Sequence, residues 1–145
     1  MKHNCGFTLV EVLIVVVILG IIAAVVIPQY TDASTEVKTS ALSSDLYRIR
    51  SQIGLYKFHH NEQLPASVSE DATEFERRMT TKTDVNGNAG VDYGPYLQSI
   101  PENPFNDLNT IRIDGAVAGA NTEGWRFDTT TGDFHADDSA AHAAL

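Results

Sequence analysis

The residues able to do chemistry are few, and their spacings are informative. His59, His60 and Glu62 bring two imidazoles and a carboxylate together, the donor types of a zinc site. Neighbouring histidines on a helix point in different directions, so they cannot form the facing i, i+4 pair of a helical zinc motif, and a solvated helix end is expected instead. Asp84, Asn86 and Asn88 offer oxygen donors at alternate positions, as calcium loops do, but Gly87 is out of place and no glutamate stands at the twelfth position. Asp133, Asp137 and Asp138 form a second acidic group, with His135 and Ser139 among them. No nucleophile turn frames that serine, and the chain carries neither a Gly-rich phosphate loop nor a set of zinc-type cysteines. These residues point away from an enzyme.

Glu11 raises a different question. It is the only charge between Phe7 and Ile27, in the run "FTLVEVLIVVVILGIIAAVVI". A comparable acid at the centre of a membrane helix costs about 2.5 to 3.5 kcal/mol, and less toward an end. Either Glu11 sits near an interface, where the cost is small, or it meets a positive group on a neighbour.

The elements that must position these residues follow from the apolar pattern. The run from Phe7 to Ile27 would make about 30 Å of helix, matching the hydrocarbon thickness of a bilayer. It is too long for a secretory signal and lacks a clean small-x-small cleavage site, since Ala23 and Ala24 are followed by Val25 and Val26. Lys2 ahead of the run and an acidic domain behind it predict a single pass with the amino end cytoplasmic. Gly20, Ala23 and Ala24 would allow close helix contacts, or are ordinary membrane-helix composition.

Pro28 lacks an amide hydrogen and is expected to kink or unwind the helix, leaving open one long helix or two joined around it. Leu42, Leu46, Ile49, Ile53 and Tyr56 then recur at steps of four, three, four and three, which aligns one apolar stripe. Gly54 is an awkward interior residue on that helix. Asn61 is a candidate left-handed cap, and Pro65 blocks continuation. Ser67 with Glu70 predicts a capping box for a short second helix through Met79, with Phe75 and Met79 on one face. Residues 80–94 read as an irregular loop, and the proline-containing stretch after it offers Tyr96, Leu97, Ile100 and Phe105 as anchors. Ile111 and Ile113 alternate on one strand, while Trp125, Phe127 and Phe134 flank a turn at Gly132, which predicts a hairpin. The last ten residues are expected to fray. Together these elements predict an α+β fold in which the second half of a long helix packs on a small antiparallel sheet.

The formal charge is -9, and from Pro101 onward eight acids face two arginines. That balance argues against nucleic acid as a partner, because its recognition normally begins with a basic surface. Cys5 is the only cysteine, so no intramolecular disulfide can form, and the preceding MKHN lacks the apolar stretch of a lipidation signal.

"GFTLVE" followed by "VLIVVVILGIIAAVVIP" resembles the amino-terminal signature of type IV pilins and the pseudopilins of type II secretion systems. The resemblance covers about the first 30 residues. It implies that a prepilin peptidase cuts after Gly6 and methylates Phe7. It also implies that Glu11 pairs with the terminal amine of an adjacent subunit, and it places the helix-breaking proline at Pro28. The implied organisation is a leader at 1–6, a transmembrane and filament-core helix at 7–28, and an extracytoplasmic pilin-like domain at 29–145 whose helix continues to about 58. The implied location is the inner membrane, single-pass, with filament assembly to follow.

The implied partners are further copies of the chain, related minor pilin-like subunits, the peptidase and an inner-membrane assembly platform. No cofactor is expected. The resemblance brings calcium as an alternative to an ordinary acidic surface, because the major pseudopilin commonly holds that ion in its carboxyl-terminal loop. The compact chain without a carboxyl-terminal disulfide favours a pseudopilus subunit over a type IV pilus subunit. A membrane-tethered binding protein and a secreted enzyme released from the apolar segment are the alternatives from other classes.

Overall fold

The computed structural model describes residues 7–67, 69 and 71–145, with the side chains of 26–33 outside that description. Gly6 and Glu70, two positions singled out from the sequence, lie outside the described residues. The element order is α1 (Leu9–His59), α2 (Ala72–Thr80), β1 (Ile111–Ile113), β2 (Trp125–Phe127), β3 (Phe134–Ala136) and α3 (Ala140–Ala143). The chain divides into two compact units, Met1–Val37 and Lys38–Leu145.

The first unit is the amino-terminal part of α1. Thr8 stands at its start, where its hydroxyl accepts the Glu11 amide at 3.2 Å and its carbonyl accepts the Val12 amide. Such bonds satisfy amides that have no partner within the first turn. From Phe7 to Val25 the large apolar side chains are exposed on every side of the helix. A helix that is apolar all round has no preferred core face and is stable only when something surrounds it. The backbone stays helical at position 28, so α1 is a single element and not two helices joined around the proline. A proline there removes one amide donor from the ladder, while the bonds on either side remain available.

One expectation is corrected at this point. Among the described residues no helix is long and apolar enough to cross a membrane, which overturns the inner-membrane, single-pass location with a cytoplasmic amino end.

The second unit is an α+β domain built on the remainder of α1. Leu42, Leu46, Ile49, Ile53 and Tyr56 are all buried, as their spacing predicts, while Tyr47 and Phe58 on other faces are exposed. The helix ends by a left-handed exit at Asn61 (φ 53) and Glu62 (φ 64), with the Glu62 amide bonded back to the Lys57 carbonyl at 2.9 Å. Asparagine tolerates that conformation better than most residues, which is why the helix stops there.

The start of α2 differs from the expectation. It begins at Ala72, capped by Asp71, whose carboxylate accepts the Glu74 amide at 3.2 Å. Asp71 and Glu74 repeat the capping spacing that Ser67 and Glu70 also offered, and this second frame puts Phe75 and Met79 in the core four residues apart. The Met79 carbonyl then accepts both the Tyr96 and Leu97 amides, which draws the proline-containing stretch down so that Tyr96, Leu97 and Ile100 are buried.

The sheet has the order β1-β2-β3. β2 and β3 form the antiparallel hairpin, pairing Phe127 with Phe134 and Trp125 with Ala136. Gly132, at φ 81, takes the left-handed position in the turn, and the Asp128 carboxylate accepts the Thr130 and Thr131 amides. β1 joins on the other side of β2 in parallel, with Ile111 opposite Trp125. The carboxyl terminus does not fray. Ser139 caps α3, and Arg50 on α1 donates to the carbonyls of Phe134 and Leu145, both at 2.9 Å.

Candidate functional site

Two places carry the residues of interest. The first is the start of α1. Phe7 is 79% exposed, and the Glu11 carboxylate, also exposed, has no ion-pair partner among the described residues. An apolar helix with one unmatched acid near its start can bind a surface of matching hydrophobicity that supplies a positive charge. It offers no groups arranged for bond making or breaking. Pro28 lies within the helical backbone with its side chain undescribed.

The second place is the connection between β1 and β2. Parallel neighbouring strands need a crossover that returns the chain to its starting edge, usually a helix of a dozen or more residues. Here residues 114–124 make the crossing without regular structure, so their backbone groups need other partners. Arg112 and Asp137 supply them. Arg112 donates to the carbonyls of Asp114 (3.0 Å), Ala116 (2.6 Å) and Val117 (3.4 Å) and pairs with Asp137 at 2.5 Å.

The Asp137 side chain is fully buried and also accepts the amides of Gly119, Ala120, Thr122 and Glu123 and the Thr122 hydroxyl. Burial pushes its pKa up, but the guanidinium, the Thr122 hydroxyl and the Glu123 and Gly119 amides outweigh burial and hold it below the ordinary carboxylate value. Gly119, at φ 92, brings the crossing against the start of α3, where a Cβ would lie 2.5 Å from the Ala140 amide.

The other groups found in the sequence fall into structural roles. His60 is not at a solvated helix end; it is fully buried, stacked on Tyr56 at 3.8 Å, with Nδ1 near the Tyr56 carbonyl and Nε2 near the Thr83 hydroxyl. His59 points elsewhere, toward the Tyr96 hydroxyl at 2.9 Å and stacked on Tyr93. Asp84 closes its own turn by accepting the Asn86 and Asn88 amides, both at 2.9 Å. Asp138 separates from Asp137, pairing with His142 and with buried Asn103. Among the described residues no three His, Cys, Asp or Glu side chains gather to hold a metal.

Calcium does not fit the carboxyl-terminal crossing. Its one buried carboxylate and its inward carbonyls are already engaged by a guanidinium, and a divalent cation placed among them would face that positive charge. Arg112 and Asp137 were not paired in the sequence reading. The only trace is an arginine with an acid neighbour opposite a long turn, which many surfaces share.

Residues 1–27 match the model of the prokaryotic N-terminal methylation motif. The chain is 30% identical over 132 residues to a type II secretion system core protein G of Pseudomonas aeruginosa, covering 84% of this chain and 92% of that protein. It is 31% identical over 124 residues to a fimbrial protein of Pseudomonas aeruginosa, covering 86% and 77%. A core protein G of Vibrio cholerae is 26% identical over 136 residues, covering 84% and 89%. No solved structure matches.

A long amino-terminal helix, a small α+β domain and this motif define a pilin-class structural subunit and not an enzyme. The chain belongs to the family of type II secretion pseudopilins and fimbrial proteins that carries the prepilin methylation motif.

Proposed function

We propose that the protein is a subunit of a pilus-like filament, a type II secretion pseudopilus, built by lateral packing of its apolar amino-terminal helix. The observation that carries this reading is the first unit itself. Apolar side chains project from every face of the helix between Phe7 and Val25, and the one carboxylate among them has no ion-pair partner among the described residues.

Packing α1 against copies of itself buries that surface at about 25 cal/mol per Å2 of apolar area. Glu11 is then drawn into low dielectric, where an unpaired charge is costly. Cleavage after Gly6 creates a positive terminus on Phe7, and such a terminus on a neighbouring copy neutralises Glu11. Pro28 marks where the shaft sequence gives way to the polar start of the outer domain. The prepilin peptidase, an assembly platform and related minor subunits are the partners this route requires.

A type IV pilus subunit is the second reading, supported by the similarity to a fimbrial protein. The secretion reading is preferred because the match to core protein G spans more of that relative's length. The intact mass of the mature chain tests the route. A chain beginning at methylated Phe7 is expected, and one that is uncut, or that begins beyond Ile27, overturns it.

A further inference from the structure

We propose that the Arg112 guanidinium occupies the place of a bound cation in the β1-β2 crossing, so that this domain reaches its folded form without calcium. The inference stands on the domain alone and does not depend on filament assembly. A cation that orders an irregular loop does two things: it gathers carbonyl oxygens that no helix or sheet satisfies, and it balances a buried carboxylate.

Arg112 does both from within the chain. Its five N–H groups meet five acceptors, the carbonyls of Asp114, Ala116 and Val117 and the two carboxylate oxygens of Asp137. Residues 114–117 can fold back over the guanidinium because Asp114 and Gly115 adopt positive φ of 53 and 76. The remaining capacity of Asp137 is taken by amides from residues 119–123, so the crossing is tied at both ends to one ion pair.

The geometry is specific to arginine. A lysine carries the same charge on a single nitrogen with three donors and cannot reach three carbonyls and a bidentate carboxylate together. A free cation would have to displace the guanidinium, which is only 17% exposed on a side chain fixed by those bonds.

The test is thermal unfolding of the full chain in detergent micelles, followed by circular dichroism, in excess EGTA and in millimolar calcium. The expected result is the same Tm in both. Arg112→Ala is expected to lower Tm by about 10 °C or more and to open residues 114–123 to limited proteolysis, with Arg112→Lys recovering only part of the loss. A rise in the wild-type Tm with calcium overturns the proposal, and so does an Arg112→Ala chain with unchanged Tm and protease resistance. If Arg112→Ala does not fold, the wild-type comparison still decides, because a chain that requires calcium must lose Tm in EGTA.

Discussion

Asp137 shows how a buried charge is made tolerable, and it makes a prediction about acid. Its pKa is held below the ordinary value of 3.8 by Arg112 and the surrounding donors despite burial. Asp128 is lowered from the same value by the Thr131 and Thr130 amides, and Glu74 from 4.5 by its hydrogen bond to Arg77. As pH falls, the unfolded chain therefore takes up these protons first. The stability they contribute is complete above about pH 5 and is lost as pH drops through the lowered folded values. Urea midpoints measured from neutral to acid pH are expected to fall along that window. In Asp137→Asn the midpoint starts lower at neutral pH and its acid slope is shallower, because the buried carboxylate paired with Arg112 no longer titrates.

At the scale of elements, the long helix and the hairpin were legible because their apolar residues recur at periods only one structure satisfies. Leu42 to Tyr56 could form a single buried stripe only on a helix, and Trp125, Phe127 and Phe134 could share a face only across a turn. The start of α2 was harder, since two capping spacings follow one another within residues 67–74 and only packing of Phe75 chooses between them. Asp71→Ala is expected to cost about 1 kcal/mol in equilibrium unfolding, through the lost cap. Gly54 lies exposed on α1 with nothing within 4 Å of where a Cβ would sit. Gly54→Ala is therefore expected to stabilise the protein by about 0.5 to 1 kcal/mol, seen as a higher urea midpoint at unchanged m-value. Phe127 packs on Phe75 at 4.8 Å in the core. Phe127→Ala is expected to cost about 3 to 5 kcal/mol by the same measurement.

For the whole molecule, the sequence separated the chain into an apolar shaft and an acidic domain, but it did not disclose how the domain holds its irregular half. Residues 80–110 and 114–124 are fixed by contacts distant in sequence, such as Met79 with Tyr96 and Arg112 with Asp137, and no local period encodes those. His60 was misread for the same reason: its burial depends on Thr83 and Tyr93 closing over the helix end, which only the folded loop brings about. The apolar pattern likewise predicted a membrane pass, whereas among the described residues no helix is long and apolar enough to make one.

The membrane-tethered alternative uses α1 only as an anchor, so it has no need of Glu11. Filaments sheared from cells producing the wild-type chain or Glu11→Ala, at matched levels of mature protein, separate that alternative from assembly. The account predicts abundant wild-type subunit in the sheared fraction and at least a tenfold loss for Glu11→Ala, the ratio expected when about 1.4 kcal/mol or more of pairing is removed. Equal amounts of the two chains in that fraction, or no wild-type chain there at all, would contradict it.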